Sequence, residues 1–169
     1  MTERAYEDIV ETLLGTAEDI ERSAKTYRGM SEEDLRHVML LPLNDRYRGQ
    51  AAAEAFNSEG KTDALVRWDD RNLFIAEFKK WRGQKEFLAA LEQLYRYKTW
   101  RDAGIALVVI LEEGNLSSVI ETTKKVLQGH QSFREWGLEK DGLLRVVVNP
   151  HGDQARSARL AVIFVNLSE

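Results

Sequence analysis

Two acids and a lysine stand out in residues 60–83, GKTDALVRWDDRNLFIAEFKKWRG. Asp63 lies near the start of one β-prone stretch. Glu77, with Lys79 two residues later, lies at the end of the next. Side chains alternate between the two faces of a strand, so Glu77 and Lys79 share one face and Phe78 takes the other. Carboxylates and a lysine meeting at one sheet edge are the parts of a metal-dependent phosphodiester hydrolase. Hard oxygen ligands suit Mg2+ or Mn2+. Such a metal generates hydroxide and offsets charge on the phosphate. The lysine would orient or deprotonate the attacking water, or neutralise the phosphate.

The pattern Glu-x-Lys is common in a charged chain, and Glu59-Gly60-Lys61 is a second copy in a turn. What distinguishes the first copy is its setting. Phe74, Ile75 and Ala76 run into it, so Glu77 sits at the mouth of a buried strand, where a charge is costly without a partner. A third acid follows from hairpin register. If Ser58-Glu59 is a two-residue turn, Asn57 pairs with Gly60 and Glu54 with Asp63, on one face. Glu33 competes for that place. On the following helix, Gln93 and Tyr97 are four residues apart and share a face. Either could bind a phosphate or base, and Tyr97 could stack on one.

Positioning these residues takes strands flanked by helices. Residues 3–24 carry Tyr6, Ile9, Val10, Leu13, Leu14, Ala17 and Ile20 at helical spacing. Ser31-Glu32-Glu33-Asp34 opens a second helix, with Leu35, Val38, Met39 and Leu43 inward and Pro42 expected to bend or shorten it. Residues 50–57 form a weak strand, and 62–68 and 73–79 clearer ones, with a turn at 69–72. Residues 84–101 form an amphipathic helix burying Phe87, Leu88, Leu91, Leu94 and Tyr95. IALVVIL, residues 105–111, is a strand buried on both faces. A helix at 117–127 and strands at 143–148 and 159–167 complete an α/β or α+β chain.

Composition narrows the classes. The 169 residues include no cysteine, which excludes disulfides, thiolate metal sites and a cysteine nucleophile. The three histidines are scattered. No apolar run approaches the ~18 residues of a membrane span, and the acidic start lacks a secretory pattern, so an intracellular, cytoplasmic protein with no membrane partner is expected. Net charge is −4, yet residues 61–102 carry +3 and the remainder −7. A polyanion would therefore meet the middle third, with Lys61, Lys80, Arg82 and Lys98 as candidate nucleic-acid contacts.

The series Asp63, Glu77-Phe78-Lys79 and Gln93-x-x-x-Tyr97 resembles the PD-(D/E)xK, or restriction-endonuclease-like, nuclease superfamily. The Gln-x-x-x-Tyr motif is typical of its RecB and lambda-exonuclease-like branch. The strings LNDRYRGQAAAEAFNSEGKTDALVR, NLFIAEFKKWRG and QLYRYKTWRD resemble uncharacterised bacterial members, chiefly over residues 30–111. The resemblance implies an αβββαβ core with a mixed sheet, and a Mg2+-dependent nuclease acting on DNA. It assigns Asp63 and Glu77 to the metal, with Glu54 or Glu33 as accessory acid. It makes Lys79 the catalytic lysine, with Gln93 and Tyr97 the helix motif. Thr62 stands where the family pattern has proline. A single nuclease-like domain is expected: an N-terminal helical extension (1–30), a catalytic core (31–111), and a C-terminal helix with strands (112–169). A homo-oligomer or larger assembly stays open. The rival reading is a non-catalytic nucleic-acid-binding or protein-interaction module keeping the fold.

Overall fold

The computed structural model describes residues 3–47, 51–53, 56–57, 60–61, 64–68, 71–97, 104–150 and 157–169. Its helices are α1 (Glu3–Arg22), α2 (Ala24–Tyr27), α3 (Glu32–Arg46), α4 (Gln84–Tyr97) and α5 (Leu116–Gly129). Its strands are β1 (Ala51–Ala53), β2 (Phe56–Asn57), β3 (Gly60–Lys61), β4 (Ala64–Trp68), β5 (Arg71–Lys80), β6 (Gly104–Leu111), β7 (Phe133–Trp136), β8 (Leu143–Val148) and β9 (Ala158–Asn166).

Seven strands form one mixed sheet in the order β1-β4-β5-β6-β9-β8-β7. Parallel β5, β6 and β9 make its centre, and antiparallel pairs extend it on both sides. Every residue of β6 is buried, as expected for a central parallel strand covered on both faces. One face packs Phe74, Ala76, Phe78, Val108, Ile110 and Ile163 against α1 and α3. The other packs Ile75, Leu107, Val109, Leu144, Val162 and Phe164 against α4 and α5. The result is an α/β sandwich with helices on both faces of the sheet.

The predicted hairpin register is the one observed in the described pairs. Asn57 pairs with Gly60, Phe56 with Lys61, and Ala53 with Ala64.

Several expectations need correction. Pro42 does not cut its helix short. It sits on the exposed side of α3, which runs on to Arg46, and the Tyr47 N–H still donates to the Leu43 carbonyl at 2.8 Å. Leu88 is 38% exposed, and Ala90 takes the buried place. Leu88 stands about 100° of helical turn from Phe87, on the border of the stripe. The segment called an extension contributes seven buried side chains from α1 to the same core as α3 and the sheet. The helix expected to reach Arg101 is described as far as Tyr97; residues 98–101 lie outside the described residues. Among the described residues, no helix is long and apolar enough to cross a membrane.

Candidate functional site

The site grows from the end of β5. Alternation turns Phe74, Ala76 and Phe78 toward α1 and α3, and Ile75 toward α4. Glu77 follows the Ile75 side and has no exposed surface. A buried carboxylate needs donors, since losing water would otherwise cost several kcal/mol. Gln93 on α4 supplies one: its Nε2 donates to Glu77 Oε1 at 2.7 Å. The Lys79 ammonium lies 3.7 Å from the same oxygen. It also lies 3.6 Å from Glu32 Oε2 at the start of α3. Lys79 is 39% exposed, so this ammonium sits between two carboxylates while still reaching solvent.

Glu32, rather than Glu33, is the acid brought to Lys79. Ser31 caps α3 by accepting from the Asp34 N–H at 3.0 Å, and this sets the phase of the helix. Leu35, Arg36, Met39 and Leu43 then point inward. Glu32 lies one turn before that stripe, while Glu33 is on the exposed side with His37 and Leu41. The signal was available in the helical spacing from Leu35 backward. Arg36, a buried arginine one turn after Glu32, was not foreseen either.

A row of three paired alanines crosses the adjoining strands: Ala53 with Ala64, and Ala64 with Ala76. In sequence, Glu54 follows Ala53, Asp63 precedes Ala64, and Glu77 follows Ala76. Asp63 and Glu54 themselves lie outside the described residues, as do Lys98 and the side chains of Lys61 and Tyr97. Among the described residues, no group of three His, Cys, Asp or Glu side chains is gathered to hold a metal ion.

Two of the basic candidates separate. Arg82 is exposed. Lys80 points away from Lys79 and donates to Glu112 Oε1 at 2.9 Å with its side chain only 15% exposed. A lysine committed to a carboxylate in this way is a poor phosphate contact, so Lys80 leaves the expected footprint. His130 is likewise structural. Its Nε2 lies 2.7 Å from Glu92 Oε1, and its Nδ1 accepts from the Ser132 N–H at 3.1 Å, tying the end of α5 to α4. Trp81 packs on Phe87 with ring centres 6.0 Å apart.

The chain matches no protein-family model, no curated protein and no solved structure.

Proposed function

We propose that this protein is a metal-dependent nuclease of the PD-(D/E)xK type that hydrolyses phosphodiester bonds of DNA. The observation that carries this is Glu77: a fully buried carboxylate, hydrogen-bonded by Gln93, with the half-exposed Lys79 ammonium beside it. Structural ion pairs are common on surfaces, but this one is half buried and opens to solvent on its cationic side. The register of β1, β4 and β5 supports the same reading, because Glu54, Asp63 and Glu77 adjoin one row of paired residues.

Asp63, Glu77 and Glu54 would hold Mg2+ or Mn2+, and their all-oxygen donor set suits a hard cation. When bound, such an ion lowers the pKa of a coordinated water and offsets charge on the phosphate. Gln93 fixes the Glu77 carboxylate by donating to one of its oxygens. Lys79 offers N–H donors to the attacking water or to a phosphate oxygen. Glu32, on the other side of the ammonium, limits its swing. Tyr97 belongs to the same helix motif, and Lys61, Arg82 and Lys98 are the remaining candidate phosphate contacts.

Incubating the protein with plasmid and linear DNA, in Mg2+, Mn2+ or EDTA, tests this. Cleavage is expected only with metal. Lys79→Ala should lower kcat by roughly 10²-fold or more with little change in KM, the mark of a group acting in the transition state. Glu77→Ala should abolish turnover. Glu32→Gln should slow the reaction and Glu33→Gln should not. Metal-independent DNA binding without cleavage would replace the nuclease by a non-catalytic binding module.

A further inference from the structure

The turn that leads into α3 is fastened to the ends of the central strands. Arg28 Nε donates to the Leu167 carbonyl at 2.8 Å, and the Leu167 N–H donates to the Leu111 carbonyl at 2.7 Å. Gly29, with φ +84°, turns its N–H to Glu112 Oε1 at 2.9 Å. A side chain at that φ would be strained, so glycine suits the turn. The same Glu112 oxygen accepts from Lys80 Nζ at 2.9 Å. Lys80 is the neighbour of Lys79, and Glu32 is three residues beyond Gly29. One carboxylate oxygen therefore joins the strand that carries Lys79 to the turn that carries Glu32.

We infer that Glu112 is a positioning residue, which holds Glu32 against the Lys79 ammonium by clamping the Gly29 turn to Lys80. Its effect on turnover rests on the nuclease reading; its effect on the Glu32–Lys79 contact does not. Burial alone would raise the Glu112 carboxyl. The hydrogen bonds from Lys80 and the Gly29 N–H, with the charges of Lys80 and Arg82, outweigh this and bring it below its ordinary 4.5. The clamp is thus ionised and engaged at neutral pH. A turn three residues from Glu32 leaves that residue only about 10 Å of chain in which to wander. Without the clamp, the α3 start can drift while its apolar stripe stays packed.

The decisive measurement is a double-mutant cycle between Glu32→Gln and Lys79→Met, read by urea denaturation at low salt. It is run in the wild-type background and again with Glu112→Ala. The wild-type background should show a coupling of roughly two- to five-fold in the unfolding equilibrium constant, the range for part-exposed ion pairs. In Glu112→Ala that coupling should vanish. Undiminished coupling there would overturn the inference. Lys80→Met, which breaks the clamp from its other end, gives the same reading should Glu112→Ala fail to fold. In cleavage assays, Glu112→Ala should lower kcat up to roughly 10²-fold with KM held. It should add nothing once Glu32 is already glutamine, and Glu112→Gln, which still accepts from Gly29, should recover part of the rate. Multiplicative losses in the two variants would also overturn it. A wild type that never cuts DNA, yet loses the Glu32–Lys79 coupling in Glu112→Ala, would remove the nuclease reading and leave the clamp standing.

Discussion

Glu77 and Glu21 are both carboxylates withdrawn from water, and they differ in what surrounds them. Glu77 has the Gln93 amide and the Lys79 ammonium within 4 Å. Glu21, half-buried on α1, accepts one N–H, from Asn166 at 2.7 Å, and faces the like charges of Asp141 and Glu18. Burial is the main cause that lifts its carboxyl above the ordinary 4.5; the Asn166 N–H works against it, and Asp141 and Glu18 add to it. An acid raised by folding favours the folded state most when protonated. That contribution is complete below the unfolded pKa and is lost as pH rises through the folded one. Glu21→Gln, whose amide oxygen can still accept from Asn166, is therefore expected to raise the melting temperature at pH 7. The gain should fade below about pH 4. Equal gains at both pH values in thermal melts would show that charge is not the cause. At the same scale, Glu77, Lys79 and Gln93, which the structure brings together, were named from the sequence, but Glu32 was passed over for Glu33. Counting acids at a helix start does not say which one faces inward; the capping serine and the Leu35, Met39, Leu43 spacing do.

At the scale of elements, legibility followed burial. The strand from Leu143 was placed to the residue, and those at residues 105–111 and 159–167 to within one, because long apolar runs in the centre of a sheet allow few alternatives. β7 was missed. Its four residues, Phe133–Trp136, are half-exposed or exposed, and a register shift interrupts their pairing with β8. Such an edge carries almost no alternation to read. Nor did the spacing show how closely α1 lies on the sheet. Gly104, at the start of β6, has no room for a Cβ, which would overlap the Tyr6 ring. That ring is held between Phe74, centres 6.0 Å apart, and the Arg159 guanidinium 4.7 Å above it. Gly104→Ala should destabilise the protein by about 1–3 kcal/mol. Combining it with Tyr6→Leu should cost less than the sum of the two single changes, since the smaller side chain at position 6 leaves room for the added methyl. Additive losses in urea denaturation would mean that α1 shifts freely over β6.

At the scale of the whole molecule, segments far apart in sequence meet in its middle. α1 and α3 share one core with β9, and β9 lies between β6 and β8 near the centre of the sheet rather than at an edge. β6 pairs with β9 from Gly104–Arg159 to Leu111–Asn166, a parallel contact between distant parts of the chain, which forms slowly. On a translating ribosome, residues 63–97 emerge long before residues 158–166. Until the latter arrive, β6 has a bare edge and α1 lacks the part of its core that β9 supplies. A chain arrested at residue 157 is therefore expected to be digested throughout by a limiting protease, whereas the full-length chain yields a resistant fragment. Resistance of the arrested chain would mean that the first eight strands and their helices suffice. Until β9 arrives, the sheet that bears Glu77 and Lys79 lacks a central strand, so the order in which the chain emerges sets when that pair comes to rest.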